Sequence, residues 1–224
     1  AFYDMLTSLP NRLLLLDRLD QALLNSIRLR RSGALLFLDL DNFKTLNDTH
    51  GHDFGDMLLE QVAQRLLDSV RITDTVARLG GDEFVVVVEN LSEQHNEAAH
   101  EATLVADKIL FALSQPFKLA EYEHYSSCSI GVAMFSNTQQ ATVDELLKRA
   151  DLAMYQAKAA GRNTFRFFDP AMQALITKRA AMEEDLRQAL RRDEMRLYYQ
   201  PQVDSSGQWL GAEVLLRWEH PQQG

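Results

Sequence analysis

Four acids stand where apolar runs stop. Asp39 and Asp41 close the run ALLFLDLD, and Asp82 and Glu83 follow two glycines in VARLGGDEFVVVV. Carboxylates that converge on one point repel each other and resist desolvation. A hard divalent cation removes that cost, and oxygen-only ligands suit Mg²⁺ or Mn²⁺ rather than zinc. Gly-Gly-Asp is also ordinary turn chemistry, so Asp82 and Glu83 alone leave both explanations open. Strand-end Asp39 taken together with the turn acids favours a metal site. His50 and His52, in THGH, raise a zinc reading, but no Cys or third His stands at ligand spacing, and they read as loop histidines. The Gly-x4-Gly-Lys-Ser/Thr cradle is absent, so a nucleotide would need other cations. Lys44, Lys158 and Arg162 are the candidates, although lone cations equally suit a solvated surface.

The elements that must position these groups follow from periodicity. Asn11 to about Arg31 reads as a helix with Leu13, Leu16, Leu19, Leu23 and Ile27 in step and Gly33 as its stop. ALLFLDLD suits a strand covered on both faces. Residues 54–70 read as a helix on Leu58, Val62, Leu66 and Val70. Thr75–Leu79 and Phe84–Glu89 read as a hairpin about the glycines. A helix is expected over about 96–115, stopping before Pro116, and PFKLAEYEHYSSCSIGVAMF reads as a second strand pair. Thr142 and Glu145 form a capping box at the head of a helix that Gly161 ends, and NTFRFF is a last short strand. The sum is a mixed sheet with helices packed on it, containing hairpins and so not a pure doubly wound fold. Beyond about residue 171 the character changes. An amphipathic helix over 171–193, striped with Leu175, Met182, Leu186 and Leu190, reads as a connector. Residues 194–224 read as two strands about a Ser-Ser-Gly turn, which are marginal alone.

Composition bounds the function. The net charge of −9 argues against a DNA-binding surface, which needs a broad basic face. One cysteine, Cys128, excludes a disulfide framework and fits a reducing, cytoplasmic compartment. No apolar run approaches the roughly 18–20 residues of a membrane span. The chain opens at AFYDML without Met and reads as a piece of a longer protein, with upstream sensor or membrane segments expected.

Four stretches in order, DMLTSLPNR, DLDNFKTLNDTHGHDFGD, RLGGDEF and ADLAMYQAKAAGRN, resemble the GGDEF-domain diguanylate cyclases. The resemblance covers about residues 1–170. It implies an α/β (α+β) fold, a five-stranded central sheet wrapped by helices and related to nucleotide cyclases and polymerase palms. It implies condensation of two GTP into cyclic di-GMP and two pyrophosphates, each 3′-hydroxyl attacking the other α-phosphate. On these residues it implies that Asp39, Asp82 and the Leu40 carbonyl hold Mg²⁺ (or Mn²⁺), with Glu83 binding metal or deprotonating the hydroxyl. Gly80 and Gly81 admit the phosphates, Lys44, Lys158 and Arg162 clamp them, and Asn47 and a buried Asp56 read guanine. Arg71 and Asp74, an Arg-x-x-Asp pair, resemble the family's inhibitory product site.

The tail LYYQPQVD…GAEVLLRWEHP is similar to the start of an EAL phosphodiesterase domain, with Glu213 matching a metal-binding Glu and Arg217 a substrate contact. It departs by reading Glu-Val-Leu, and it stops before most of the metal ligands, so no phosphodiesterase activity is expected of this chain. One GTP per protomer implies a catalytic homodimer. The alternative to turnover is a GTP-binding regulatory module that controls an adjoining EAL domain. A cyclase making a mononucleotide ring fits the guanine and product-site residues less well.

Overall fold

The computed structural model describes residues 2–136, 141–168, 182 and 185–219. The chain divides into two compact units, Ala1–Asp169 and Pro170–Gly224.

In the first unit the elements run α1 (Arg12–Leu29), β1 (Ser32–Leu40), α2 (Phe43–His50), α3 (His52–Ser69), β2 (Thr75–Gly80), β3 (Glu83–Leu91), α4 (His95–Ser114), β4 (Phe117–Leu119), β5 (Tyr122–His124), β6 (Cys128–Phe135), α5 (Val143–Ala159) and β7 (Thr164–Phe167). Five strands form one sheet in the order β2-β3-β1-β6-β7. The first four are antiparallel neighbours, and only β6–β7 is parallel, with α5 as its crossover. This is the five-stranded mixed α+β sheet expected. Every residue of β1 is buried, because helices cover both of its faces. Alternate residues of β1 enter two cores. Leu36 and Leu38 join Leu58, Val62 and Ile109 on one face. Leu35 and Phe37 join Leu15, Leu19 and Leu146 on the other. That period of two at the sheet's centre aims the strand-end acids.

The sequence expectations need four corrections here. Gly33 does not end α1. Arg30 does so in a left-handed conformation, its N–H donating to the Ser26 carbonyl. Gly33 lies inside β1, where an added Cβ would sit 2.2 Å from the Phe135 ring. The inward stripe of α1 is Leu15, Leu19, Ala22 and Ser26, while Leu13 and Ile27 are exposed, because four consecutive leucines fit more than one phase. The second strand pair is three strands: β4 and β5 form their own small hairpin, and β6 pairs with β1. A helix not expected, α2, fills residues 43–50.

In the second unit β8 (Met195–Val203) and β9 (Trp209–Trp218) form an antiparallel hairpin. Its turn is fixed by Asp204, which accepts N–H bonds from Ser206 and Gln208, and Gly207 takes φ 82°. Residues 185–191 are helical. Most of the connector helix expected over 171–193 lies outside the described residues. Of its stripe, Leu186 and Leu190 are exposed. No described helix is long and apolar enough to cross a membrane.

Candidate functional site

The β2–β3 turn and the end of β1 meet because β3 pairs with both strands. Asp39 and Glu83 are register partners, and the Leu40 N–H donates to the Asp82 carbonyl at 3.2 Å. Gly80 and Gly81 carry φ 146° and 52°, and added Cβ atoms would meet nothing within 4 Å. The turn therefore needs glycine for its backbone and leaves open space above it. Arg78 fixes the turn from beneath. Its Nε and Nη2 donate to the Gly81 carbonyl at 3.1 and 2.8 Å, and its Nη1 pairs with Asp4 at 2.9 Å. Burial alone would raise the Asp4 carboxyl. Hydrogen bonds from the Thr7 side chain and backbone, with Arg78, outweigh that and hold it low.

The acids crowd one another. Burial pushes the Asp39 carboxyl up and the Asp82 charge adds to the push, against a bond from Lys158. Glu83 is raised by desolvation and then by Asp39, Asp151 and Asp82. Lys158, from α5, places Nζ 2.7 Å from Asp39 Oδ1. Among the described residues no three His, Cys, Asp or Glu side chains close on one point as a metal cage. The donors at hand are carboxylates and a strand-end carbonyl, the hard oxygen set of Mg²⁺, which keeps several waters and needs few protein ligands. That donor chemistry and the mutual repulsion fit such an ion.

Lys44 lies exposed on the first turn of α2, and Arg162 lies exposed after α5 at φ 64°. Asn47 sits within α2, not in a loop, with its Oδ1 buried and unpartnered among the described residues. Asp56, expected buried, is exposed on α3. Its position on the second turn faces it away from the helix core that Leu58 and Leu59 enter. His50 and His52 are not loop residues either: they end α2 and begin α3, and His50 lies 5.5 Å from the Phe54 ring.

Arg71 and Asp74 form a turn rather than an ion pair. Asp74 accepts the N–H groups of Arg71 at 2.9 Å and Glu89 at 3.2 Å. Its carboxylate shapes the backbone and Arg71 stands exposed. Glu213 and Arg217 lie exposed on β9, opposite Gln200 and Arg196.

Two acids near this group, Asp151 and Asp41, lie outside the set that the family resemblance implies, although Asp41 is one of the strand-end acids visible in the sequence. Asp151 lies seven residues before Lys158 on α5, a helical spacing that puts both on one side. Burial raises its carboxyl. With Arg12, Lys148 and Glu83 it borders a cavity of about 350 Å³. Asp41 is buried and accepts from Ser127 Oγ at 2.6 Å, Ser129 Oγ at 2.7 Å and the Asn163 N–H at 3.1 Å. The seryl alternation in SSCS is the one sequence hint of the Asp41 bonds.

Residues 1–164 match the sequence profile of the family described as diguanylate cyclase, GGDEF domain, and residues 183–224 match that of the EAL domain. Among curated proteins, the bifunctional diguanylate cyclase/cyclic di-GMP phosphodiesterase MucR of Pseudomonas aeruginosa is 48% identical over 225 residues, spanning 100% of this chain and 32% of MucR. The cyclic di-GMP phosphodiesterase PdeR of Escherichia coli is 38% identical over 99% of this chain and 32% of its own. The chain thus spans about a third of the length of these relatives. Among solved structures, the GGDEF domain of TpbB (YfiN) from P. aeruginosa superposes with a TM-score of 0.73 at 36% identity, covering 78% of this chain and 99% of that one. The coiled coil and GGDEF domain of DgcB from Caulobacter crescentus, solved in complex with c-di-GMP, gives 0.64 at 27% identity, covering 74% and 85%.

Proposed function

Because the chain belongs to the GGDEF diguanylate cyclase family, we propose that its first 170 residues join two GTP molecules into cyclic di-GMP and two pyrophosphates. The observation that carries this reading is the pairing of Asp39 with Glu83 across β1 and β3, under an open glycine turn and beside Lys158. Asp39, Asp82 and the Leu40 carbonyl would hold Mg²⁺, which would supply charge neutralisation at the phosphates and a lower pKa for the attacking hydroxyl. Glu83, the register partner of Asp39, takes the proton of the 3′-hydroxyl or joins the metal ligands. The new 3′-oxygen–phosphorus bond forms as the bond to the β-phosphate bridge oxygen breaks and pyrophosphate leaves. The backbone at Gly80 and Gly81 lies against the phosphates without a side chain in the way. Lys44, Lys158 and Arg162 hold the triphosphate through charge-assisted bonds. Asp56 accepts from the guanine N1–H and 2-amino groups, a donor pair adenine lacks, and Asn47 supplies a second contact. Asp56 is solvated until a base covers it, so discrimination arises as the base excludes water.

One protomer holds one GTP, so two sites face each other in a homodimer to close the ring. Arg71 binds product guanine edges or phosphates, on a turn that Asp74 shapes.

A second reading is favoured by relatives such as PdeR that are named as phosphodiesterases alone: a GTP-binding module with little turnover, regulating an adjoining EAL domain. Incubation with GTP and Mg²⁺, followed by chromatographic separation, distinguishes the two. Cyclic di-GMP from the unmodified chain and none from Glu83→Gln supports the cyclase. Tight GTP binding with no product overturns it in favour of the module.

A further inference from the structure

Gly55 sits inside α3, one residue before Asp56, in ordinary helical backbone, so no left-handed conformation demands glycine there. A helix-interior glycine lowers stability relative to alanine. Space supplies the reason for it. An added Cβ would lie 2.0 Å from Asn47 Oδ1, 3.0 Å from Asn47 Cγ and 3.1 Å from Phe43 Cζ. The Asn47 amide oxygen is thus lodged where the side chain of residue 55 would be. That oxygen is also buried with no hydrogen-bond partner among the described residues. A buried acceptor without a partner costs stability and calls for a reason.

We infer that Gly55 is a positioning residue for base selection: its bare Cα forms the niche that locks the Asn47 amide against α3. With the oxygen end held in the niche, the NH₂ end is the part of Asn47 left to meet a ligand. A donor there suits a purine with a carbonyl at position 6, and it meets a donor on the 6-amino group of adenine. The inference rests on the reading of Asn47 as a guanine contact. It adds that the contact is set by the glycine on the neighbouring helix.

The test is a double-mutant cycle read by binding, using α,β-methylene GTP and α,β-methylene ATP, which cannot release pyrophosphate. Gly55→Ala and Asn47→Ala should each weaken binding of the GTP analogue roughly two- to tenfold, the worth of one hydrogen bond, and narrow its margin over the ATP analogue. Asn47→Ala/Gly55→Ala should bind no more weakly than Asn47→Ala, because the methyl enters space the amide has left. Wild-type binding by Gly55→Ala beside weakened Asn47→Ala overturns the inference alone. So do fully multiplying losses. Wild-type binding by Asn47→Ala overturns the guanine-contact reading, and this inference with it.

Discussion

Gly131→Ala tests whether α5 is held at the depth its cations require. Gly131 lies in β6 between Phe37 of β1 and Arg166 of β7. Its added Cβ would stand 1.9 Å from the Ala150 carbonyl oxygen, 2.2 Å from Met154 N and 2.9 Å from Ala153 C. All three are backbone atoms of α5, so no rotamer change relieves the clash. Ordinary contact begins at 3.4 Å, which requires α5 to move out by 3.4 − 1.9 = 1.5 Å near Ala150. The same helix carries Lys158, whose Nζ is 2.7 Å from Asp39, and leads into Arg162. Overpacking of this kind costs about 1–3 kcal/mol. For a domain of this size each kcal/mol lowers the melting temperature by roughly 2–4 °C. A displacement of about 1 Å at reacting groups can cost on the order of 100-fold in rate. Gly131→Ala should therefore melt roughly 2–12 °C lower and make cyclic di-GMP about 100-fold more slowly, by thermal unfolding and chromatographic product assay. Gly33→Ala is the control, since the three atoms nearest its Cβ all belong to the Phe135 ring, away from Lys158 and Arg162. It should lose stability with a much smaller loss of turnover. A Gly131→Ala chain with wild-type melting and turnover would refute the reasoning.

Glu83→Gln should raise the melting temperature at neutral pH in the presence of a chelator. The folded Glu83 carboxyl titrates above its unfolded value, through desolvation first and then Asp39, Asp151 and Asp82. Its contribution is therefore intact below the ordinary carboxylate range and is lost as pH rises through the folded pKa. The gain should vanish in acid, and a gain independent of pH would count against this origin. Thr142→Ala removes a capping box in which the Glu145 N–H donates to Thr142 Oγ1 at 3.2 Å and the Thr142 N–H to Glu145 at 3.0 Å. It should cost about 1 kcal/mol in denaturant unfolding, and no change would mean that packing alone holds the first turn of α5. Arg71→Ala should abolish slowing by added cyclic di-GMP while leaving the uninhibited rate near wild type. Unchanged inhibition would remove Arg71 from the product site.

The sequence carries the fold where burial has a clear period. The run ending in Asp39 is buried along its whole length, the glycine hairpin forms, and the Thr142 cap is made. It misleads where several patterns fit the same letters. Leu13 to Leu16 allow more than one helix phase, and Gly33 looks like a stop until the Phe135 ring is seen to require it. The short α2 starts at Asn42, a residue type favoured at helix N-caps, but its side chain makes no capping bond and its φ is 61°. The site follows the same rule. Strand-end and turn acids are visible as local features, and the structure brings Asp39 and Glu83 together through strand register. The exposure of Asp56 and the bond of Asp74 to the Glu89 N–H are set by surroundings beyond a local window of sequence.

The end of the site proposed to clamp the phosphates carries strain that is offset elsewhere. Arg162 and Asn163 both adopt positive φ, 64° and 44°, at a cost of order 1–3 kcal/mol each for residues with a Cβ. Gly161 before them is also left-handed at 113°. Local bonds alone are few: the Arg162 N–H donates to the Ala157 carbonyl at 3.1 Å and the Gly161 N–H to that of Lys158 at 3.3 Å. The remaining restraint comes from Asp41, 122 residues earlier, which accepts the Asn163 N–H. Ser129 in β6 and Ser127 just before it fix that carboxylate. Hydrogen bonds to a charged group contribute about 1.5–3 kcal/mol each, enough to offset strain of this size. Three of the roughly four lone-pair sites of that carboxylate are thereby taken. Asp41 therefore differs from Asp39 two residues away by its partners rather than its type: one fixes the turn that presents Arg162, the other stays beside Lys158 and Glu83.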